Sequence, residues 1–344
     1  MIVFHHASHR LHDPVELHVF GGKALPPAEV AARADRILSG LAKAEAFQIR
    51  EPGPVDRAFL AEVHNARYLD FLETAHSRWR AATGGGIAGE ASPYIRPLPG
   101  TAWKEPKSVL AQLGRFGIDV DPILSGTWEA AVAAASSAFA AAELVDSGEP
   151  AVYALTRPPG HHAGPETFGG YCYLNNAAVA AARLARGGRQ VAILDLDAHH
   201  GNGTQTIFWD RMDVLTLSIH GNPDDHYPFF LGYSDEIGGA GAAGTNRNFP
   251  LPTNAGWGAY EEALDAAFRL VSMHRADCLV VPLGVDTHAS HGVLGLQWED
   301  YSRIGAALAR TGLPVVFVQE GGYEPDTLER AVPAVLTGFL QSLG

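Results

Sequence analysis

The sequence predicts an α/β fold: a single domain, residues 1–344, on a central and mostly parallel sheet with helices on both faces. Three observations predict it. From residue 127 onward, short apolar runs alternate with stretches of helical period, the signature of a parallel sheet with crossover helices. Apolar residues make up 47% of a chain of 344, enough for a large buried sheet and near the upper size for one core. Residues that carry chemistry cluster just after the carboxyl ends of the predicted strands, where open α/β sheets bind ligands.

In chain order, residues 1–4 form a short β-type run, followed by His5, His6, His9 and then Glu16. Residues 26–41 read as a helix whose Pro-Pro start suits a first turn. A second helical pattern covers 63–79. Residues 83–122 change character, with Gly84 to Gly86, several prolines, and the scattered aromatics Tyr94, Trp103 and Phe116. So long a structureless stretch inside a compact domain is functional or disordered. It is read as an insertion that packs against a second subunit or lines a substrate entrance. An Ala-rich helix follows at 127–145. Strands are then predicted at 151–155, 191–196, 214–219, 278–285 and 314–319, and helices at 175–185, 257–274, 298–309 and 326–343.

Composition narrows the function. The formal charge of −13 argues against nucleic acid, which would want a basic patch, and is compatible with a cationic substrate. Two distant cysteines, Cys172 and Cys278, give neither a disulfide framework nor a cysteine zinc motif. With 16 histidines, a metal site would use imidazole and carboxylate. No apolar run reaches membrane-spanning length, and the first ten residues do not form a signal peptide. A protein in the cytoplasm, without a membrane partner, is expected.

The richest stretch is VAILDLDAHHGNGTQ, residues 191–205. Its apolar opening suits a buried strand. Residues two apart on extended chain point the same way, so Asp197 and His199 share one side, with Asp195 a step deeper. A buried carboxylate is costly unless paired or bound to a metal. Asp286 ends the apolar run CLVVPLGVD and must also be satisfied inside the protein. Asp197, His199 and Asp286 make three ligands with a fourth position open, the pattern of a hydrolytic zinc site, though carboxylate-rich sites also suit Fe(II) or Mn(II). In RPPGHHAG, residues 157–164, a stiff loop presents His161 and His162 side by side, and one can serve as general base. Asp195 and Asn202 are candidate partners for the pair; an Asn orients an imidazole without raising its basicity by charge. In EGGY, residues 320–323, two glycines let Tyr323 approach the site, where its hydroxyl could donate to an oxyanion. Gly239, Gly241 and Gly244 fit GxGxxG, but neither a strand before nor a helix after supports a nucleotide site. No GxSxG nucleophile elbow appears.

Taken together and in order, RPPGHHAG, FGGYCYLNNAAVAA, DLDAHHGNGTQ, GVDTH and EGGY resemble the zinc-dependent histone deacetylase superfamily, with its arginase–deacetylase fold. VELHVFGGKALPP near the start and the later SGTWEAA look like its bacterial acetylpolyamine amidohydrolase branch. The resemblance implies one catalytic Zn2+ on Asp197, His199 and Asp286, paired histidines at His161 and His162 backed by Asp195 and Asn202, and an amide carbonyl polarised by Tyr323. It implies a narrow channel walled by Tyr171 and Tyr227, beside Gly170. It also implies a structural monovalent cation, K+, near Asp195, Asp197, His199 and Ser218, and use of the 83–122 insertion for a homodimer that narrows access. Glu16 is a candidate for amine recognition.

Two departures matter. Histone deacetylases usually carry Asp where this chain has Asn202, whereas acetylpolyamine relatives often carry Asn. After GVDTH many relatives continue with Asp-Pro; this chain has His291-Gly292 in the segment that shapes the pocket rim. The expected activity is deacetylation of acetylated polyamines or small acetylated diamines. The alternatives are a deacetylase for acetyl-lysine peptides, a two-manganese ureohydrolase, and a non-catalytic module on the same fold. The ureohydrolase would need further carboxylates, which DAHHG and VDTH lack.

Overall fold

Apolar runs bounded by polar turns become the strands of one sheet, and the computed structural model describes them within residues 1–16, 18–20, 23–85, 89–98, 100, 102 and 104–343. The elements in chain order are β1 (Ile2–Phe4), β2 (His18–Phe20), β3 (Lys23–Leu25), α1 (Ala32–Leu41), β4 (Gln48–Arg50), α2 (Arg57–Val63), α3 (Ala66–Thr83), α4 (Val109–Phe116), α5 (Thr127–Asp146) and β5 (Ala151–Ala154). There follow α6 (Asn176–Arg186), β6 (Val191–Asp195), α7 (Asn202–Phe208), β7 (Val214–Gly221), β8 (Asn246–Leu251), α8 (Trp257–His274), β9 (Cys278–Leu283), α9 (Trp298–Ala309), β10 (Val315–Gln319) and α10 (Pro325–Ser342). Eight strands form the main sheet in the order β4-β1-β5-β10-β9-β6-β7-β8, and every pairing in it is parallel. β2 and β3 form a separate antiparallel hairpin.

Side chains alternate across this sheet, so each face has its own core. Val152, Ile193, Val280 and Val316 pack on one side with α2, α3, α5 and α6. Tyr153, Leu194, Val281 and Phe317 pack on the other with α1, α8, α9 and α10. Burial on both faces explains why the central strands read as unbroken apolar runs. Helix α5 is long and apolar enough to cross a membrane by composition, but most of it is buried inside the protein, against β5 and α6. That is the expected state of a helix apolar nearly all round in a large core.

The structure departs from the sequence reading in several places. The pattern at 63–79 belongs to two helices, because Asn65 caps α3 by accepting the Arg67 N–H and Asp56 caps α2 likewise through Ala58. The prolines near residue 26 precede α1 rather than opening it. The described residues between 83 and 122 are not structureless. They contain α4, and Ala91 pairs with Ile123. Gly114 lets this segment close up, since a Cβ there would lie 1.4 Å from the Ile95 carbonyl oxygen. Gly86 and Trp103 lie outside the described residues. Short α7 and the polar strands β4 and β8 carry too weak a periodicity to be read from sequence. The GxGxxG stretch is a loop of turns that leads into β8, the reverse of a dinucleotide fingerprint.

Candidate active site and metal centre

In a parallel sheet all carboxyl ends share one rim. Four loops are tied together there. Glu320 Oε2, after β10, accepts the Gly160 N–H of the loop after β5 at 2.6 Å. Asp195, at the end of β6, meets His161 Nδ1 at 2.9 Å. Asp286 Oδ1, after β9, accepts the Ala198 N–H at 3.1 Å, and Asp197 Oδ2 accepts the Gly321 N–H at 2.7 Å.

Asp197, His199 and Asp286 offer one ligand atom each, all within 4.8 Å of one another. His199 Nδ1 lies 3.3 Å from Asp197 Oδ1 and 3.1 Å from Asp286 Oδ2. Two glycines clear the space: a Cβ on Gly284 would lie 2.0 Å from Asp197 Oδ2, and one on Gly321 would lie 2.4 Å from Asp286 Oδ2. Both carboxylates are 1% exposed, and among the described residues no Lys or Arg pairs with either. Burial alone would lower the His199 pKa, but the bonds to Asp197 and Asp286 outweigh it and raise it to about 10. A proton held this firmly stands where a cation is wanted. Two carboxylates and an imidazole fit a dication of the zinc, iron or manganese type.

Asp195 does not join this group. It turns to His161 while its other oxygen accepts the Asp197 N–H at 3.1 Å. The two histidine rings are 4.0 Å apart, yet their environments push them in opposite directions. For His161 burial is outweighed by Asp195 and Asp197, and its pKa rises to about 10. For His162 burial, His161 and His199 act together and hold it well below the usual imidazole range. His162 Nδ1–H donates to Asn202 Oδ1 at 2.7 Å, which leaves Nε2 as a free base. One cationic and one neutral imidazole side by side are able to divide acid and base tasks.

Tyr323 follows Gly321 and Gly322, the latter at φ +119°. Burial holds its phenol well above the ordinary tyrosine pKa, so it stays a protonated donor. Tyr171 meets it edge-on at 5.5 Å, and Tyr227 meets His162 edge-on at 4.9 Å. Gly170 is needed for this approach, because a Cβ there would lie 2.2 Å from His162 Cδ2. Glu16 is exposed, and its backbone N–H donates to Glu90 Oε1 at 3.0 Å. Ser218 pairs with Asp195 across β6 and β7, and its hydroxyl lies 2.7 Å from His220 Nδ1.

The sequence reading missed four participants. Arg33 lies 4.8 Å over the Tyr323 ring and donates to the Gly322 and Glu320 carbonyl oxygens at 2.7 and 2.6 Å. Glu29 neutralises it at 2.8 Å and is shared with Arg157. The available signal was a charged i,i+4 pair beside the apolar residues of α1. Asp119 Oδ2 accepts the Tyr227 hydroxyl at 3.0 Å and the Gly170 N–H at 2.6 Å, and Asp121 accepts the Tyr171 N–H. The carboxyl end of the 83–122 segment is therefore fastened to Gly170, Tyr171 and Tyr227; nothing local in its sequence marks that contact.

His161, Cys172 and Glu320 form a second group with metal-ligand spacing. It does not suit a metal. Glu320 Oε2 is engaged by the Gly160 and His161 N–H groups, and burial raises the Cys172 thiol far from thiolate.

Residues 27–339 match the model of the histone deacetylase domain family. Acetylpolyamine amidohydrolase 1 of Pseudomonas aeruginosa is 40% identical over 98% of this chain and 99% of its own. Acetylpolyamine amidohydrolase of Mycoplana ramosa is likewise 40% identical, over 98% and 99%. The crystal structure of acetylpolyamine aminohydrolase from Burkholderia pseudomallei superposes with a TM-score of 0.93 at 39% identity, covering 100% of both chains. That of the HDA15 HD domain superposes with a TM-score of 0.80 at 26% identity, over 99% of this chain and 89% of its own.

Proposed function

The chain belongs to the histone deacetylase domain family, and on that premise we propose that it hydrolyses the amide of acetylated polyamines or small acetylated diamines. The observation that carries the reading is one cluster: Asp197, His199 and Asp286 converge beside a neutral His162. Zn2+ held by these three residues would supply Lewis acidity toward an amide carbonyl and a lowered pKa for water. His162 Nε2 takes the proton of the attacking water. The Tyr323 hydroxyl donates to the amide oxygen as it gains negative charge. Cationic His161 stabilises that charge, and the pair returns a proton to the leaving amine. Tyr171, Tyr227 and Gly170 line the approach, where aromatic faces and an acidic surround favour a flexible cation. Glu16 contributes to amine recognition from the exposed side.

The preference for small amines over acetyl-lysine peptides is supported by the insertion, which Asp119 and Asp121 bind to the wall residues Gly170, Tyr171 and Tyr227. The same insertion exposes Tyr94, Ile95 and Leu98, which suits a homodimer contact. K+ beside Asp195, Asp197, His199 and Ser218 would brace the metal loop. Two free buried cysteines accord with work in the cytoplasm.

Zinc-loaded protein is expected to turn over acetylputrescine and acetylspermidine well ahead of an acetyl-lysine peptide, measured as kcat/KM on each. A clear peptide preference would overturn the substrate reading. The base assignment has its own test. Because His162 must be neutral to work, kcat/KM falls as pH drops through its pKa, which lies below the ordinary 6.5. Asn202→Asp places a carboxylate on His162 Nδ1 and is expected to move that acid limb up by about one pH unit or more. An unmoved limb would remove His162 as the base.

A further inference from the structure

Tyr323 needs its backbone fixed, because its donor strength depends on where the hydroxyl sits. The two glycines before it add freedom rather than stiffness. On their side the chain is held by side chains already described: Asp197 Oδ2 accepts the Gly321 N–H at 2.7 Å, and Arg33 Nε donates to the Gly322 carbonyl at 2.7 Å. On the carboxyl side of the phenol a different residue acts. His291 Nε2 lies 3.2 Å from the Tyr323 N–H and 3.4 Å from the Glu324 N–H. These two amides immediately precede α10, whose first residue, Pro325, has no N–H of its own. Among the described residues, His291 is their acceptor. Its ring also stands edge-on to Tyr323 with centroids 6.3 Å apart.

His291 ends a single 3-10 turn, Ala289–His291, which Gly292 closes at φ +75°. His288 caps the start of that turn by accepting the Ser290 N–H at 3.2 Å. The Ser290 hydroxyl lies 2.9 Å from His288 Nδ1 and 3.4 Å from His291 Nδ1. The turn follows Asp286 on the same loop after β9. One short segment thus carries a metal-site carboxylate at one end and the anchor of Tyr323 at the other.

We propose that His291 is a positioning residue for Tyr323: its Nε2 accepts the Tyr323 and Glu324 N–H groups and so sets the phenol against the metal centre. The proposal rests on the deacetylase reading for its kinetic consequence but not for its geometry. Acceptance at Nε2 requires the neutral tautomer with the proton on Nδ1, where it can reach Ser290 Oγ.

Two measurements test it. Nitrogen NMR of the imidazoles at neutral pH, on the full chain, should show His291 Nε2 unprotonated and Nδ1 protonated; a proton on Nε2 would overturn the proposal whatever the enzyme's substrate. In parallel, kcat and KM on acetylputrescine are compared for wild type, His291→Ala and His291→Gln. His291→Ala should lower kcat about 10-fold with KM within about 2-fold, the mark of a misplaced transition-state donor. His291→Gln keeps an acceptor at similar reach and should recover most of the loss. Unchanged kcat in His291→Ala, or no recovery in His291→Gln, would overturn it. A wild type inactive on every acetylated amine would count against the deacetylase reading, while the tautomer would still decide the role of His291.

Discussion

Replacing Tyr323 by phenylalanine is expected to lower kcat by about 10²-fold or more, with KM little changed, as loss of an oxyanion donor does. The substitution removes one oxygen and leaves the ring where Arg33 and Tyr171 hold it. Burial keeps the phenol protonated through the working range, so the wild-type hydroxyl is always a donor and the loss should not depend on pH near neutrality. Single-turnover measurements with acetylputrescine would separate this from slow product release. Full activity in Tyr323→Phe would show that the carbonyl is polarised without it.

Asp286→Ala is expected to abolish both activity and tightly bound zinc. The carboxylate offers one of the three clustered ligand atoms, and its other oxygen accepts the Ala198 N–H. The alanine variant therefore also leaves that amide unpaired, at a cost of about 1–3 kcal/mol. Asp286→Asn retains an oxygen for Ala198 while losing the charge, so it distinguishes metal loss from partial unfolding. Elemental analysis of the purified variants, alongside circular dichroism, makes the comparison. Stoichiometric zinc in Asp286→Ala would take this residue out of the metal centre.

Much of the site was legible because its residues sit at fixed offsets from strong strand signals. Asp195, Asp197 and His199 follow an apolar run of the kind a buried parallel strand needs, and Asp286 ends another. Carboxylates in such places must be paired or bind a metal, which is a statement about desolvation and needs no coordinates. Pairings among distant groups were less legible. The sequence offered Asp195 and Asn202 as partners for two histidines; the bonds His161–Asp195 and His162–Asn202 became definite only in three dimensions. Arg33 was hidden by its helix, where a charge more often faces solvent. Here it is 3% exposed, beneath Tyr323.

By itself, the sequence determined the α/β architecture, the rim on which the chemistry gathers, and the residue types able to hold a dication. These follow from local rules: side-chain periodicity in strands and helices, and the cost of burying charge. Only the tertiary structure decided that Asp119 and Asp121 bind Gly170, Tyr171 and Tyr227, that burial and charge push two adjacent imidazole pKa values in opposite directions, and that His291 reaches the amides beside Tyr323. Each depends on distances between segments far apart in the chain. Electrostatic and hydrogen-bonding energies at those distances are properties of the packed arrangement, which local periodicity does not encode.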